Sequence, residues 1–252
     1  CSVTGMFGKK FRYRSVAAIL KELRQYDRRD HFVFFCDDNF TANKRRAREL
    51  LEAMIAEGFR FQWSTQVRTD LARDPDLVRL MKRAGCHTVF IGFESVNPKS
   101  LAEMKKSQDL EDIRTAIQVV QQAGIHIHGM FVFGFEEDNW STVEATVSFA
   151  RKMKLTSVQL LILTPLPGSE LYQRLGAEKR ITSFDWDLYD THHVVYRPAR
   201  FTPFELQCAQ VHGHTRLYAL SEGVRKLATG RWVAAGLSFY AWKINRDWQK
   251  GN

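Results

Sequence analysis

The sequence predicts a parallel α/β fold that gives way to helices. Five apolar runs carry that reading. They are Phe32–Asn39 (FVFFCDDN), Phe61–Arg68 (FQWSTQVR), Thr88–Asn97 (TVFIGFESVN), Met130–Asp138 (MFVFGFEED) and Val158–Ser169 (VQLLILTPLPGS). Each is rich in β-branched and aromatic residues, as a strand buried on both faces should be, and each ends in polar groups followed by helix signals. Strand starts near residues 32, 61, 88, 130 and 158 give repeats of roughly 27 to 42 residues, the size of right-handed crossover units. In such folds ligands sit at the C-terminal edge of the strands.

Residues 1–14, CSVTGMFGKKFRYR, form a glycine- and cation-rich loop with interleaved aromatics. Ser15 caps a helix with the stripe Val16, Ile19, Leu20 and Leu23. After the first strand, Thr41 is the expected cap of a helix that turns Leu50, Leu51, Met54 and Ile55 to the core and stops at Gly58. Asp74-Pro75 opens the next helix, which Gly85 closes. Asn97 with Pro98 and then Asp109 start two more, the second ended by Gly124. Ser141 and Glu144 read as a capping box after the strand HIHGMFVFG. From Ala177 the pattern changes. Ser183–Arg200 is an aromatic, His-bearing excursion, and Thr202-Pro203 caps a long helix reaching about Lys226. Gly230 breaks it before a last helix rich in Trp and Tyr. The boundary falls at 1–176 for the strand-bearing part and 177–252 for the excursion and helices.

A formal charge of +9 invites an anionic partner, but Lys and Arg are scattered along the helices, as on a solvated face. Cys1, Cys36, Cys86 and Cys208 lie far apart. That excludes a local disulfide framework and points to a reducing, cytoplasmic setting, with Cys36, Cys86 and Cys208 as small buried hydrophobes. No apolar run reaches the ~20 residues of a spanning helix. Cys1 rather than Met opens the chain, which reads as a processed chain or a piece of a longer one.

The opening CSVTGMFGKKFRYRS resembles the segment that begins at the third cysteine of the Cys-x3-Cys-x2-Cys motif of radical S-adenosylmethionine (radical SAM) enzymes, and most closely those with an upstream cobalamin-binding domain. FFCDDNFTANK, WSTQVRTDLA, MKRAGCHTVFIGFESVNPKSL, HGMFVFGFEED, LLILTPLPGSELY and WDLYDTHHVVYRP follow in the family's order and cover most of residues 1–200. The resemblance implies a partial TIM-like (β/α)6 barrel lacking its first strand, with a C-terminal helical extension. It implies a transferase-type radical enzyme whose cofactors are a [4Fe–4S] cluster, S-adenosylmethionine and, through an upstream domain, cobalamin. Three thiolates ligate such a cluster and leave one iron open. Cys1 is then a metal ligand, the other two cysteines lie immediately upstream as Cys-x3-Cys-x2, and the 252 residues alone are inactive. The partners implied are that upstream region of the parent chain and an electron donor; no substrate is indicated.

For site residues, the resemblance places Asp37, Asp38 and Asn39 on the methionine ammonium, Gln66 and Arg68 on its carboxylate and hydroxyls, and Glu94 and Ser95 on the ribose diol. Gly134 would let backbone approach the ligand, and Ile162–Thr164 would lie beside the adenine. Each has a plainer reading. The aspartates suit a helix N-terminus, Arg68 suits a surface ion pair with Asp70, Glu94 suits solvent, and Gly134 suits a turn. Glu136 and Glu137 stand where many relatives have proline, so the contact made by that loop is open.

His126 and His128 share a strand face at metal-ligand spacing, but at the N-terminal end of the strand, where a structural role is expected. His192 and His193 fit either a substrate lid or a packed one. In the last helix, Trp232, Val233, Leu237, Tyr240 and Ile244 share a broad face, with Arg231, Lys243, Arg246 and Lys250 supplying cations. That face is expected to dock on the barrel helices, with contact to a membrane surface as the alternative. Two rival functions remain: a TIM-barrel hydrolase or lyase using strand-end carboxylates, and a basic RNA- or membrane-binding module.

Overall fold

The computed structural model describes residues 8, 11–104 and 108–251. Cys1 and its neighbours lie outside them. β1 (Phe32–Phe35), β2 (Gln62–Val67), β3 (Cys86–Glu94), β4 (His126–Phe133) and β5 (Ser157–Ile162) form one parallel sheet in sequential order. The helices are α1 (Val16–Leu23), α2 (Lys44–Glu57), α3 (Pro75–Arg83), α4 (Pro98–Glu103), α5 (Leu110–Gln122), α6 (Trp140–Lys152), α7 (Glu170–Ala177), α8 (Pro203–Leu217), α9 (Leu220–Ala228) and α10 (Trp232–Gly251). Two compact units divide the described residues: Arg12–Phe93 with Gln108–Gly129, and Glu94–Met104 with Met130–Gly251.

Most helix starts obey the sequence. Ser15 caps α1 by accepting from the Ala18 N–H, and Asp74 caps α3 at the Leu77 N–H. Asp109 with Asp112, and Thr202 with Glu205, close reciprocal boxes at α5 and α8. Two caps fall elsewhere. Asn43, not Thr41, caps α2, because the Thr41 hydroxyl is turned back onto Asn39 in the preceding turn. Asn139, not Ser141, caps α6, and Thr142 returns its bond, while the Ser141 hydroxyl donates to Asn139. The helix expected to run from Pro203 to Lys226 stops at Leu217. There Tyr218 is drawn onto β5, and α9 begins at Leu220.

In the first unit, Leu51, Met54, Trp63, Leu77, Met81, Val89, Ile91, Ile113 and Ile117 fill the core between sheet and helices. The opposite sheet face carries an aromatic ladder. His87 packs on Phe32 and on His126 at 5.6 and 4.6 Å between ring centroids, and Phe90 packs on Phe34 and on His128 at 5.4 and 4.7 Å. Burial, with Lys82 nearby, holds His87 below its ordinary pKa, favouring the neutral ring that stacks. His126 and His128 thus take the structural role expected of them. Cys86 is buried as expected, but Cys36 is exposed just past the end of β1, and Cys208 is only half-buried on α8. At that margin of the sheet β1 is the terminal strand, and Phe32 and Phe34 remain exposed. A terminal strand with open backbone is prone to edge-to-edge association.

In the second unit, β5 ends the sheet at the other margin, and side chains cover its edge. The Tyr218 hydroxyl accepts from the Val158 N–H at 2.7 Å and donates to the Val158 carbonyl at 2.6 Å. Gln210 donates to the Leu160 carbonyl, His214 Nε2 meets the Leu160 N–H, and the Ile162 N–H donates to the Thr191 carbonyl. The periods match. Four helical residues rise about 6 Å and two strand residues about 6.6 Å, so Tyr218 and His214 meet the alternate residues Val158 and Leu160, and Gln210 adds a second bond at Leu160. Gly213 permits the approach, since a Cβ there would stand 2.5 Å from Leu160 Cδ1.

The last helix reverses the expectation. Trp232, Val233, Leu237, Tyr240 and Ile244 are all exposed, and Ala234, Ala235 and Ser238 face inward. Close packing selects small residues for the inner stripe, and the broad apolar face is left outside. Among the described residues no helix is long and apolar enough to cross a membrane.

Candidate functional site

The strand ends of the first unit hold the first group. Asp37 and Asp38 follow β1 and are exposed, while Asn39 is half-buried and accepts from the Thr41 hydroxyl at 3.2 Å. The Phe40 N–H donates to the Gln66 carbonyl at 3.0 Å, and the Thr65 hydroxyl donates to the Phe35 carbonyl at 3.1 Å, which fixes the ends of β1 and β2 together. Arg68 is exposed one residue past β2 and makes no ion pair among the described residues; the surface bridge to Asp70 does not form. Among the described residues, two carboxylates and one guanidinium therefore stand without ion-pair partners at adjacent strand ends. Beside them, Arg12–Arg14, α1, β1 and α2 enclose a cavity of ≈ 380 Å³ that Cys36 and Asp37 help to line.

In the second unit Glu94 ends β3 with φ +67°, a left-handed conformation that is rare for a non-glycine residue. Such strain costs about 1–3 kcal/mol and concentrates at functional sites. Ser95 is buried, and its Oγ accepts from the Asn97 N–H at 3.0 Å, leaving its proton to donate. Asn97 in turn caps α4.

The turn after β4 is held from within. Asp138 is fully buried, accepts from the N–H groups of Gly134 and Phe135 at 3.0 and 3.1 Å, and accepts from the Ser100 hydroxyl at 2.7 Å. Burial raises its pKa against the lowering effect of those bonds. The Gly134 carbonyl accepts from the Tyr196 hydroxyl at 2.5 Å. A Cβ at Gly134, where φ is +112°, would lie 2.3 Å from that hydroxyl. Gly134 thus sits in the turn with the Tyr196 hydroxyl packed against it. Glu136 pairs with Arg180 and Arg174, and Glu137 with Arg200 and Lys99, so both are held by cations from outside the turn. Although burial opposes it, the cations Arg200 and Lys99 hold Glu137 below the ordinary carboxylate pKa.

His192 and His193 also fall in this unit, and Asp190 orders both. It accepts from their backbone N–H groups and from His193 Nδ1 at 2.9 Å. With Gln207, Gln210 and His214 they line a separate cavity of ≈ 500 Å³. Sequence reasoning missed Asp138, Tyr196 and the polar stripe of α8. The only signal for Asp138 was its place behind two other acids.

The donor set fits a zwitterionic ligand, with carboxylates for an ammonium and a guanidinium for a carboxylate. It does not by itself fit a metal cluster, because no three His, Cys, Asp or Glu side chains converge among the described residues. Cys1, the expected cluster ligand, lies outside them.

A parallel five-stranded sheet flanked by helices places the chain in the α/β class with a partial TIM-like barrel. The sequence profile of the Radical SAM superfamily matches residues 1–150, and the chain belongs to that superfamily. Enzymes of that superfamily use a [4Fe–4S] cluster and S-adenosylmethionine. The chain is 32% identical over 205 residues to bacteriochlorophyllide d C-12(1)-methyltransferase of Chlorobaculum tepidum, covering 79% of this chain and 44% of that protein. It is 27% identical to hopanoid C-2 methylase of Rhodopseudomonas palustris, covering 73% and 36%. The chain thus spans less than half the length of these relatives. In fold it is similar to the radical SAM methyltransferase TsrM of Kitasatospora setae, solved with cobalamin and a [4Fe–4S] cluster, with TM-score 0.59 at 17% identity over 66% of this chain and 32% of that one. The cobalamin-dependent radical enzyme OxsB gives TM-score 0.58 at 12% identity over 94% and 43%.

Proposed function

We propose that this chain is the radical domain of a longer, cytoplasmic methyltransferase that uses a [4Fe–4S] cluster, S-adenosylmethionine and cobalamin, with residues 1–176 as its partial barrel. The observation that carries the reading is the set Asp37, Asp38 and Arg68 at the ends of β1 and β2, exposed and without an ion pair among the described residues. Methyltransferase relatives and the cobalamin-bearing fold neighbours support the reaction class and the third cofactor. When bound, the cluster and S-adenosylmethionine supply reductive C–S cleavage and a 5′-deoxyadenosyl radical.

The chain's own residues bind and orient. Asp37, Asp38 and Asn39 accept from the ligand ammonium, and Arg68 with Gln66 meets its carboxylate and hydroxyls. Glu94, held in its strained conformation, accepts from the ribose diol, and Ser95 keeps a proton to donate. Gly134 offers only backbone surface, since its N–H and carbonyl are already bonded within the turn. Cys1 ligates the cluster together with two cysteines of the region preceding it, and an external donor supplies the electron.

Iron analysis tests this reading. The chain joined to its natural upstream region should bind about four irons per chain after anaerobic reconstitution, and Cys1→Ala should lose most of them. An upstream region lacking Cys-x3-Cys-x2, or unchanged iron in Cys1→Ala, would contradict it.

A further inference from the structure

We propose that the α9–α10 hairpin seats this protein on an anionic lipid surface. The observation is a helix pair that leaves two apolar stripes exposed although its interior holds Ala234, Ala235 and the Phe239 ring against Gly223. On α9, Leu220, Val224 and Leu227 are spaced four and three residues apart and form one exposed stripe. On α10, Val233, Leu237, Tyr240 and Ile244 are spaced four, three and four apart and form another, with Trp232 at its head. The two largest of these side chains are the most open, Trp232 at 70% and Tyr240 at 66%. The polar contact lies inside instead, where buried Lys226 donates to buried Ser238 at 2.7 Å. Burial lowers the Lys226 pKa to about 8, so the hairpin keeps a polar group in its interior at a cost while apolar groups face out.

Charge selects the occupant. Setting buried Lys226 aside, residues 220–252 hold five Lys and Arg against two Asp and Glu, a net +3, with Arg225 paired to Glu222 and Arg246 to Asp247. Lys243 and Arg246 are exposed on the helix that bears Tyr240 and Ile244. Protein interfaces are depleted of Lys around such a core, whereas an interfacial helix combines Trp, Tyr and aliphatic anchors with snorkelling cations. The α10 helix is not apolar enough to span, so it lies in the headgroup boundary.

The test is sedimentation of the 252-residue protein with vesicles of phosphatidylcholine containing about one third phosphatidylglycerol. It should pellet with these vesicles but not without them, less on pure phosphatidylcholine, and less as salt is raised. Leu237→Gln with Tyr240→Gln and Ile244→Gln should weaken partitioning about 100-fold while the protein stays folded, with a small drop in melting temperature, since Tyr240 is 66% exposed and Leu237 and Ile244 are about half exposed. Brominated acyl chains should quench tryptophan emission of the unsubstituted protein, which decides the matter even if the variant unfolds. Absence of that quenching, salt-insensitive pelleting, equal pelleting by the folded variant, or self-association through this face in place of vesicle binding would overturn the proposal.

Discussion

Replacing Asp138 with Ala should destabilise the fold by about 3–5 kcal/mol, because one truncation strands three buried donors. The N–H groups of Gly134 and Phe135 and the Ser100 hydroxyl all end on this carboxylate, which is fully buried. Denaturant unfolding of the purified protein and the variant measures the difference. The pH dependence has a fixed sign. Burial raises the folded-state pKa of Asp138, so the folded chain holds this proton to higher pH than the unfolded chain does. The contribution is fully present below the ordinary carboxylate value near 3.9 and is lost as pH rises through the folded value. The gap between protein and variant should therefore be wider near pH 4 than near pH 7. A loss under about 1 kcal/mol would show that the turn finds other partners.

Gly134→Ala should also cost about 3–5 kcal/mol, by sterics rather than lost bonds. The new methyl would stand 2.3 Å from the Tyr196 hydroxyl and 3.0 Å from Leu206, at a φ of +112° that side chains rarely adopt. Tyr196→Phe removes the obstructing oxygen. In the double variant part of the loss should return, so the two substitutions are non-additive by about 1 kcal/mol or more. Simple additivity in thermal or denaturant melts would place the strain elsewhere.

These two sites show what sequence could and could not say. The five strands were legible because each is an apolar run flanked by its own punctuation. The caps Ser15, Asp74, Asn97, Asp109 and Thr202 were legible because capping is local. Thr41 and Ser141 misled because Asn39, Asn43 and Asn139 stood within a few residues and won the same donors or acceptors. Asp138 could not be told from Glu136 and Glu137, since only the turn's geometry buries the third acid and pairs the other two with arginines. The stripe of Gln210, His214 and Tyr218 spells nothing until α8 is laid along β5. Periodicity likewise revealed the apolar face of α10 but not its direction. That was decided by the inner side of α10, where Ala234, Ala235 and Ser238 are buried and Phe239 packs on Gly223.

The central claim is that the strand ends of this chain hold S-adenosylmethionine, and calorimetry on the cluster-reconstituted longer protein tests it most directly. Glu94→Gln and Arg68→Gln should each weaken S-adenosylmethionine binding by about 1–3 kcal/mol, the value of a charged hydrogen bond, while iron content stays unchanged. Unchanged affinity in both variants would return Glu94 and Arg68 to the solvated surface and contradict the account.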